Sequence, residues 1–197
     1  MIKTYSLIAS AALLGLGGYA AYTQFAQSEQ CFGTTVAGGA IGGPFELVDE
    51  TGATVTETDI ITEPTLIYFG YTFCPDVCPI DAARNAAAVQ ILADDGIQVR
   101  PVFITIDPKR DTVEVVGDYT ENFHERMIGL TGTEEQIQAA ARAYRVVYSR
   151  ADEDPEFYLM NHSVFSYLVT PEDGFVAYFR REDSPQVIAD QISCFLA

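Results

Sequence analysis

Two cysteines, Cys74 and Cys78, are the side chains of this sequence best suited to chemistry, and three residues separate them. They follow an apolar run over residues 66–69 that predicts a buried strand. They precede an alanine-rich segment over residues 81–92 that predicts a helix, and Pro79 suits its start because a proline there loses no hydrogen bond. Both cysteines are expected in the first turn of this helix, where the N–H groups and the dipole of the helix N-terminus favour thiolate over thiol. A pair of such thiolates indicates redox chemistry or the binding of a soft metal ion.

The same pair has two less reactive interpretations. Free cysteines are often inert core residues, and two neighbouring cysteines can form a structural disulfide. Pro75 and Pro79 flank the pair, which lies between a predicted strand and a predicted helix. This placement favours a functional pair of thiols.

The sequence contains two histidines, which differ in their surroundings. His124 lies in a polar segment at a predicted helix end, where a solvated surface histidine is expected. His162 lies between aromatic-rich segments and, taken alone, is most simply a hydrogen-bonded core residue. Together with two thiolates it forms a ligand set that suits copper, because thiolates favour Cu(I) and imidazole also accommodates Cu(II). A structural zinc site needs four protein ligands, and only these three are good candidates.

Composition limits the classes of partner. The chain has 197 residues, of which 48% are hydrophobic, which is enough for the core of one domain of ordinary size. Its net charge is −17 and its sequence contains no cluster of lysine and arginine. Binding to nucleic acid or to anionic lipid headgroups is therefore not expected.

Residues 1–30 differ from the rest of the chain. Lys3 is the only charged residue before Glu29, and the apolar stretch reaches the length of about 20 residues that spans a bilayer. The position of Lys3 predicts a cytoplasmic N-terminus and an exported domain, most simply in the bacterial periplasm. Residues 18–20 resemble a small-x-small cleavage site, so a cleavable signal peptide is the alternative. We favour an uncleaved transmembrane helix because the stretch is long for a signal peptide.

An exported protein makes the remaining two cysteines informative. Cys31 follows the predicted anchor and Cys194 lies in the last predicted helix, so a disulfide could join the two ends of the domain. Closing so long a loop would stabilise the domain by about 4–5 kcal/mol if the bond is unstrained. The alternatives are two free thiols or a lipid-modified Cys31, although no lipobox precedes that residue.

The chain divides into the anchor, a Gly-rich linker over residues 31–43 and one domain over residues 44–197. The domain begins with a predicted β-hairpin over residues 44–55, and a β-branched strand over residues 99–106 follows the cysteine segment. Further helices are predicted over 112–123, over 133–144 with capping-box spacing, and from Ser184; a second hairpin covers 163–169 and 175–179. This order predicts a three-layer α/β domain with a mixed central sheet, and functional groups gather at the carboxyl ends of such strands.

Three motifs together resemble the Sco/SenC family of copper proteins. They are Tyr-Phe-Gly-Tyr-Thr-Phe-Cys-Pro-Asp-Val-Cys-Pro over residues 68–79, Thr-Ile-Asp-Pro-Lys-Arg-Asp-Thr over residues 105–112, and His162-Ser163. The likeness extends from about Gly42 to the C-terminus and also includes the predicted anchor. It implies a thioredoxin-like fold with additional hairpins.

The resemblance also implies a site and a role. Copper would be bound by Cys74, Cys78 and His162, with the carboxylates of Asp107 and Asp111 near the histidine, where they could orient it. The implied role is maturation of the CuA centre of cytochrome c oxidase. The implied partners are the oxidase subunit that carries CuA and an upstream copper donor.

Two rival functions remain open from the residues. A thiol–disulfide oxidoreductase would use Cys74 and Cys78 without a metal, although their spacing is one residue longer than in the usual Cys-x2-Cys motif. A peroxiredoxin-like or redox-sensing protein would oxidise one cysteine and use the other to resolve it. Copper transfer requires His162, whereas disulfide exchange should tolerate its replacement by alanine.

Overall fold

The computed structural model describes residues 41–151, residue 154 and residues 157–197. Within them the strands are β1 Glu46–Asp49, β2 Thr54–Thr56, β3 Thr65–Gly70, β4 Arg100–Thr105, β5 Ile128–Thr131, β6 Tyr148–Arg150, β7 Met160–His162, β8 Ser166–Thr170 and β9 Gly174–Phe179. The helices are α1 Glu57–Ile60, α2 Val77–Asp94, α3 Val113–Glu121, α4 Glu134–Ala143 and α5 Pro185–Phe195.

Seven of these strands form a mixed sheet in the order β2-β1-β5-β4-β3-β8-β9. Strands β3, β4 and β5 are parallel, and β1, β8 and β9 join them in antiparallel pairs. All six residues of β3 are buried, as expected for a central strand whose apolar run does not alternate with polar residues. The predicted mixed α/β architecture is therefore confirmed.

Hydrophobic clusters cover both faces of the sheet. The larger cluster contains Ile67, Tyr68 and Phe69, and the smaller one contains Leu66 together with Ile188 of α5. Because successive residues of β3 point to opposite faces, this strand contributes to both clusters. The strand is thereby fixed on two sides, and its carboxyl end at Gly70 becomes a rigid support for the cysteine segment.

Local signals set the helix starts that the sequence predicts. The Thr133 hydroxyl accepts a hydrogen bond from the Gln136 amide, and the Gln136 side chain accepts one from the Thr133 amide, which completes a capping box before α4. Ser184 caps α5, whose first residue is Pro185.

Helix α2 begins at Val77, so it includes Cys78 in its first turn but leaves Cys74 in the preceding loop. The expectation that both cysteines enter the helix is thus met by Cys78 alone. The pairing of β6 with β7 in a separate two-stranded ribbon was not predicted, because each strand has only three residues.

Two predictions concern residues outside the described part. Among the described residues, no helix has both the length and the apolar character needed to cross a membrane, and the anchor predicted over residues 1–30 lies outside them. Cys31 also lies outside, so its pairing with Cys194 of α5 stays a prediction.

Candidate metal centre

The loop between β3 and α2 carries Cys74, and the buried carboxylate of Asp111 holds the start of this loop. The Thr72 amide donates to Oδ2 of Asp111 over 3.0 Å, and the Thr72 hydroxyl donates to Oδ1 over 2.6 Å. The Thr105 hydroxyl at the end of β4 donates to the same carboxylate over 2.6 Å. Asp111 therefore links the loop to the neighbouring parallel strand.

Cys74 is half-buried, and its sulfur accepts a hydrogen bond from the Cys78 amide over 3.3 Å. Burial opposes ionisation, but hydrogen bonds from the amides of Cys78 and Asp76 prevail and lower the pKa of Cys74 below its usual value. The start of α2 therefore stabilises a thiolate on Cys74, as expected for a cysteine at a helix N-terminus.

Cys78 is fully buried, and burial raises the pKa of its thiol. Its sulfur fits beneath β3 because residue 70 has no side chain. A Cβ atom at Gly70 would lie 3.1 Å from Sγ of Cys78 and 2.9 Å from Cε1 of Tyr68. The thiol of Cys78 therefore keeps its proton more firmly than that of Cys74, whose pKa is lowered.

His162 is the last residue of β7, where it pairs with Tyr148 of β6. Its Nε2 lies 3.4 Å from Sγ of Cys78, and its Nδ1 lies 2.8 Å from the carbonyl oxygen of Ser163. Since a carbonyl oxygen only accepts, Nδ1 carries the proton and Nε2 presents a lone pair. Burial lowers the pKa of His162, so the imidazole is neutral at neutral pH, as a metal ligand must be.

The three predicted ligands converge at the carboxyl end of β3. Cys78 contacts both of the others, one through its amide and the other through its sulfur. In the described part of the chain, no group of three His, Cys, Asp or Glu side chains is already arranged to hold a metal ion. Two sulfur atoms and one imidazole nitrogen nevertheless form a donor set that fits copper.

The two predicted orienting carboxylates have other partners. Asp107 accepts a hydrogen bond from the Tyr158 hydroxyl over 2.7 Å and forms an ion pair with Arg110. Asp111 is directed to the cysteine loop, as described above. Neither is among the hydrogen-bond partners of His162, whose Nδ1 faces the Ser163 carbonyl instead. Among the described hydrogen bonds neither carboxylate contacts the imidazole, and an orienting role for Asp107 and Asp111 stays a prediction.

Aromatic side chains form one wall of the site. The Arg110 guanidinium lies 3.6 Å from the ring centroid of Tyr158 and 4.7 Å from that of Phe73. Phe73 and Phe157 are exposed, with ring centroids 6.4 Å apart. The residue next to Cys74 thus contributes to an apolar surface that is open to solvent.

Sequence reasoning missed two neighbours of the site, Tyr68 and Asp81. The Tyr68 hydroxyl donates to Oδ2 of Asp81 over 3.1 Å, and both residues are almost fully buried. The signal that could have found Asp81 is its position three residues after Cys78, where a helix presents both side chains on adjoining parts of one face. His124, in contrast, is half-exposed, and its Nδ1 accepts from the Arg126 amide.

Comparison with known proteins places this chain in a family. The sequence profile of the SCO1/SenC family matches residues 33–197. The chain belongs to the SCO1/SenC family. It is 47% identical over 200 residues to protein SenC of Rhodobacter capsulatus, covering 98% of this chain and 90% of that protein.

Two plant relatives extend the comparison. The chain is 42% identical over 161 residues to the mitochondrial SCO1 homolog 1 of Arabidopsis thaliana, covering 81% of this chain and 48% of that longer protein. The crystal structure of Arabidopsis thaliana ScoI with copper bound matches with a TM-score of 0.74 and 43% identity, covering 78% of this chain and 96% of that one. The thioredoxin-like Sco fold expected from the sequence is thus confirmed.

Proposed function

We propose that this chain is a copper chaperone that binds copper through Cys74, Cys78 and His162 and delivers it to the CuA site of cytochrome c oxidase during assembly. The observation that carries the proposal is the contact between the Cys78 sulfur and Nε2 of His162, beside the sulfur of Cys74. Support comes from the copper bound to the Arabidopsis relative and from the role implied by the family resemblance.

The three ligands have different parts in loading. The half-exposed Cys74, with its lowered pKa, is the thiolate that meets the incoming ion first. Cys78 then exchanges its proton for the ion, and the lone pair of Nε2 that accepts from this thiol becomes available as the third donor. Nδ1 keeps its proton and donates it in a hydrogen bond to the Ser163 carbonyl oxygen, which holds the ring in the ligating tautomer.

The number of ligands and the exposed surroundings of the site also favour the release of copper. Three protein ligands leave room for a fourth from a partner, so copper can pass on by ligand exchange, whereas a closed four-ligand site would retain it. Phe73 is 45% exposed and Phe157 is 67% exposed, which gives the acceptor an apolar contact beside Cys74. We assign the donor role to an upstream copper protein and the acceptor role to the oxidase subunit that carries CuA. The domain would act on the exported side of the membrane, held there by residues 1–30.

A second function is favoured by the unequal thiols. Cys74 and Cys78 are both free, and their pKa values are shifted in opposite directions. A thiolate at the surface with a buried thiol behind it is suited to attack a disulfide and to resolve the mixed disulfide. The alternative is therefore a thiol–disulfide reductase that acts on the cysteines of the oxidase copper site or of another exported protein.

Copper stoichiometry and the absorption spectrum of the reduced full-length chain test the proposal. We expect one copper ion per chain, and loss or marked weakening of binding in Cys74→Ser, Cys78→Ser and His162→Ala. The matched control is His124→Ala, which removes the other histidine and should bind copper normally. Full binding by His162→Ala would remove the third ligand. Absence of binding by the unaltered chain would leave the reductase as the function, and that activity should survive His162→Ala.

A further inference from the structure

A group of buried polar side chains lies behind the candidate metal centre without providing a ligand. It consists of Asp81, Arg84 and Asn85 of α2, Ser166 of β8 and Tyr68 of β3, each less than a tenth exposed. Tyr68 and Ser166 are opposite each other in the antiparallel pair of β3 and β8. Charged side chains are seldom buried so completely, and their desolvation must be offset by partners.

The positive member of the group is well satisfied. The Arg84 guanidinium donates to the Ser166 hydroxyl over 2.9 Å, to Oδ1 of Asn85 over 3.0 Å and to the carbonyl oxygen of Arg180 over 2.9 Å. The Asn85 amide donates to the same serine hydroxyl over 2.8 Å. These bonds fix the guanidinium to β8 and to the segment after β9.

The negative member is less completely satisfied. Oδ2 of Asp81 accepts from the Tyr68 hydroxyl over 3.1 Å, whereas Oδ1 has no hydrogen-bond partner among the described residues. Oδ1 lies 3.3 Å from Nη1 of Arg84, at an ion-pair distance. Burial raises the pKa of Asp81, while the charge of Arg84 and the hydrogen bond from Tyr68 oppose this shift and favour the carboxylate. In the ionised form, an oxygen that lacks a hydrogen bond keeps a strong field in its buried surroundings.

The order along α2 determines which way this field acts. Cys78, Asp81 and Arg84 follow one another at intervals of three residues, so the carboxylate stands between the ligand sulfur and the guanidinium. The negative end of the ion pair is thus the end nearer the metal centre. Consistent with this, burial lowers the pKa of His162, and the Asp81 carboxylate is among the groups that oppose this shift.

We propose that Asp81, oriented by the Tyr68 hydroxyl and by Arg84, is the fixed negative charge that shifts the copper site from Cu(I) toward Cu(II). This inference rests on the proposed copper site. Two thiolates and a neutral imidazole carry a charge of −2, so bound Cu(I) leaves a net negative site and Cu(II) leaves a neutral one. A buried carboxylate nearby attracts the additional positive charge of Cu(II) and repels the net negative Cu(I) site.

The test is the ratio of Cu(II) affinity to Cu(I) affinity, with each measured by anaerobic competition against a chelator specific for that ion. Asp81→Asn in the full-length chain keeps the size of the side chain and an acceptor for Tyr68, and it removes the charge. We expect the ratio to fall about tenfold, the effect of one buried charge at moderate distance. Asp118→Asn removes an exposed carboxylate of α3 and is the matched control, with an unchanged ratio.

A second variant is needed if Asp81→Asn fails to fold because the buried positive charge of Arg84 has lost its partner. The double variant Asp81→Asn/Arg84→Gln removes both charges and should still lower the ratio, because the carboxylate is the nearer group. An unchanged ratio, or an equal loss of both affinities, would overturn the inference while leaving the copper site in place. Failure of the unaltered chain to bind either ion would instead overturn the proposed function, and this inference with it.

Discussion

The sulfur of Cys78 lies 3.4 Å from Nε2 of His162. Among the hydrogen bonds of the described residues, this one alone joins helix α2 to the β6–β7 ribbon. Nδ1 of the same ring is 2.8 Å from the Ser163 carbonyl oxygen, so Nε2 accepts the thiol proton. A metal ion and this proton therefore compete for the same pair of atoms.

Copper affinity should consequently depend on pH. Burial raises the pKa of Cys78, so this thiol keeps its proton at neutral pH, while burial lowers the pKa of His162 and leaves no proton to displace there. Each copper ion that binds must release the Cys78 proton, and the apparent affinity should rise about tenfold per pH unit near neutrality. Competition titrations across this range measure the slope. An affinity independent of pH would contradict this ligand arrangement.

The two cysteines should differ in reactivity. The pKa of Cys74 is lowered and its side chain is partly exposed, whereas Cys78 is buried with a raised pKa. In the reduced metal-free chain, iodoacetamide should modify Cys74 at least about tenfold faster than Cys78, because the thiolate is the reactive form. Mass spectrometry of partly labelled chain measures both rates. Denaturant provides the control, since the difference should disappear on unfolding; equal rates in the folded chain would refute the assignment.

Gly70 should be needed for the position of Cys78. A Cβ atom there would lie 3.1 Å from the Cys78 sulfur, 2.9 Å from the Tyr68 ring and 3.0 Å from the Phe103 ring. Gly70→Ala should lower the free energy of unfolding by about 1–3 kcal/mol through overpacking. It should also weaken copper binding, because the sulfur must move. Urea unfolding and copper competition measure the two effects.

A second glycine, Gly117, serves to distinguish the effect of Gly70→Ala on copper binding from a general effect of replacing glycine by alanine. Gly117 lies within α3, and its added Cβ would lie 3.3 Å from Cβ of Glu50, away from the sulfur ligands. Gly117→Ala should leave copper affinity unchanged. If Gly70→Ala also binds copper normally, the sulfur tolerates displacement and the close fit at residue 70 has no part in binding.

Much of the fold was predictable because the sequence signals for its strands and helices are local. The unbroken apolar run at residues 66–69 indicates a strand buried on both faces, and β3 is such a strand, paired on both sides with β4 and β8. The pattern Thr133 to Gln136 indicates a capping box, and both of its hydrogen bonds form. The cysteine segment could be placed at the carboxyl end of β3 because strand and helix adjoin it in sequence.

The parts that could not be predicted depend on tertiary structure. The β6–β7 ribbon has three residues in each strand, too few for a period, yet it carries His162 to within reach of Cys78. The burial of Asp81 depends on Tyr68, which only the packing of α2 on β3 brings to it, and on Arg84 of the same helix, whose guanidinium donates to Ser166 of β8. The partners of Asp111, which are Thr72 and Thr105, likewise lie on other elements of the fold, so the family resemblance did not indicate its attachment to the cysteine loop.

Asp111 should act on copper binding through the cysteine loop. Its carboxylate accepts two hydrogen bonds from Thr72 and one from Thr105, and it is fully buried. Asp111→Ala leaves these donors without a partner and should lower the free energy of unfolding by roughly 3–5 kcal/mol. The loop that carries Cys74 also loses its attachment to β4. We therefore expect weaker copper binding in the fraction of chain that stays folded, measured by competition under stabilising conditions.

Thr105→Val separates the two effects of this carboxylate. The variant removes the β4 hydroxyl that donates a hydrogen bond to the Asp111 carboxylate. It also removes the hydrogen bond that this hydroxyl accepts from the Asp107 amide. Both bonds from Thr72 remain, so the cysteine loop stays attached to the carboxylate. Stability should fall by about 1–3 kcal/mol while copper affinity is kept. Equal losses of copper affinity in Thr105→Val and Asp111→Ala would show that general destabilisation, rather than the hold on Thr72, accounts for the effect.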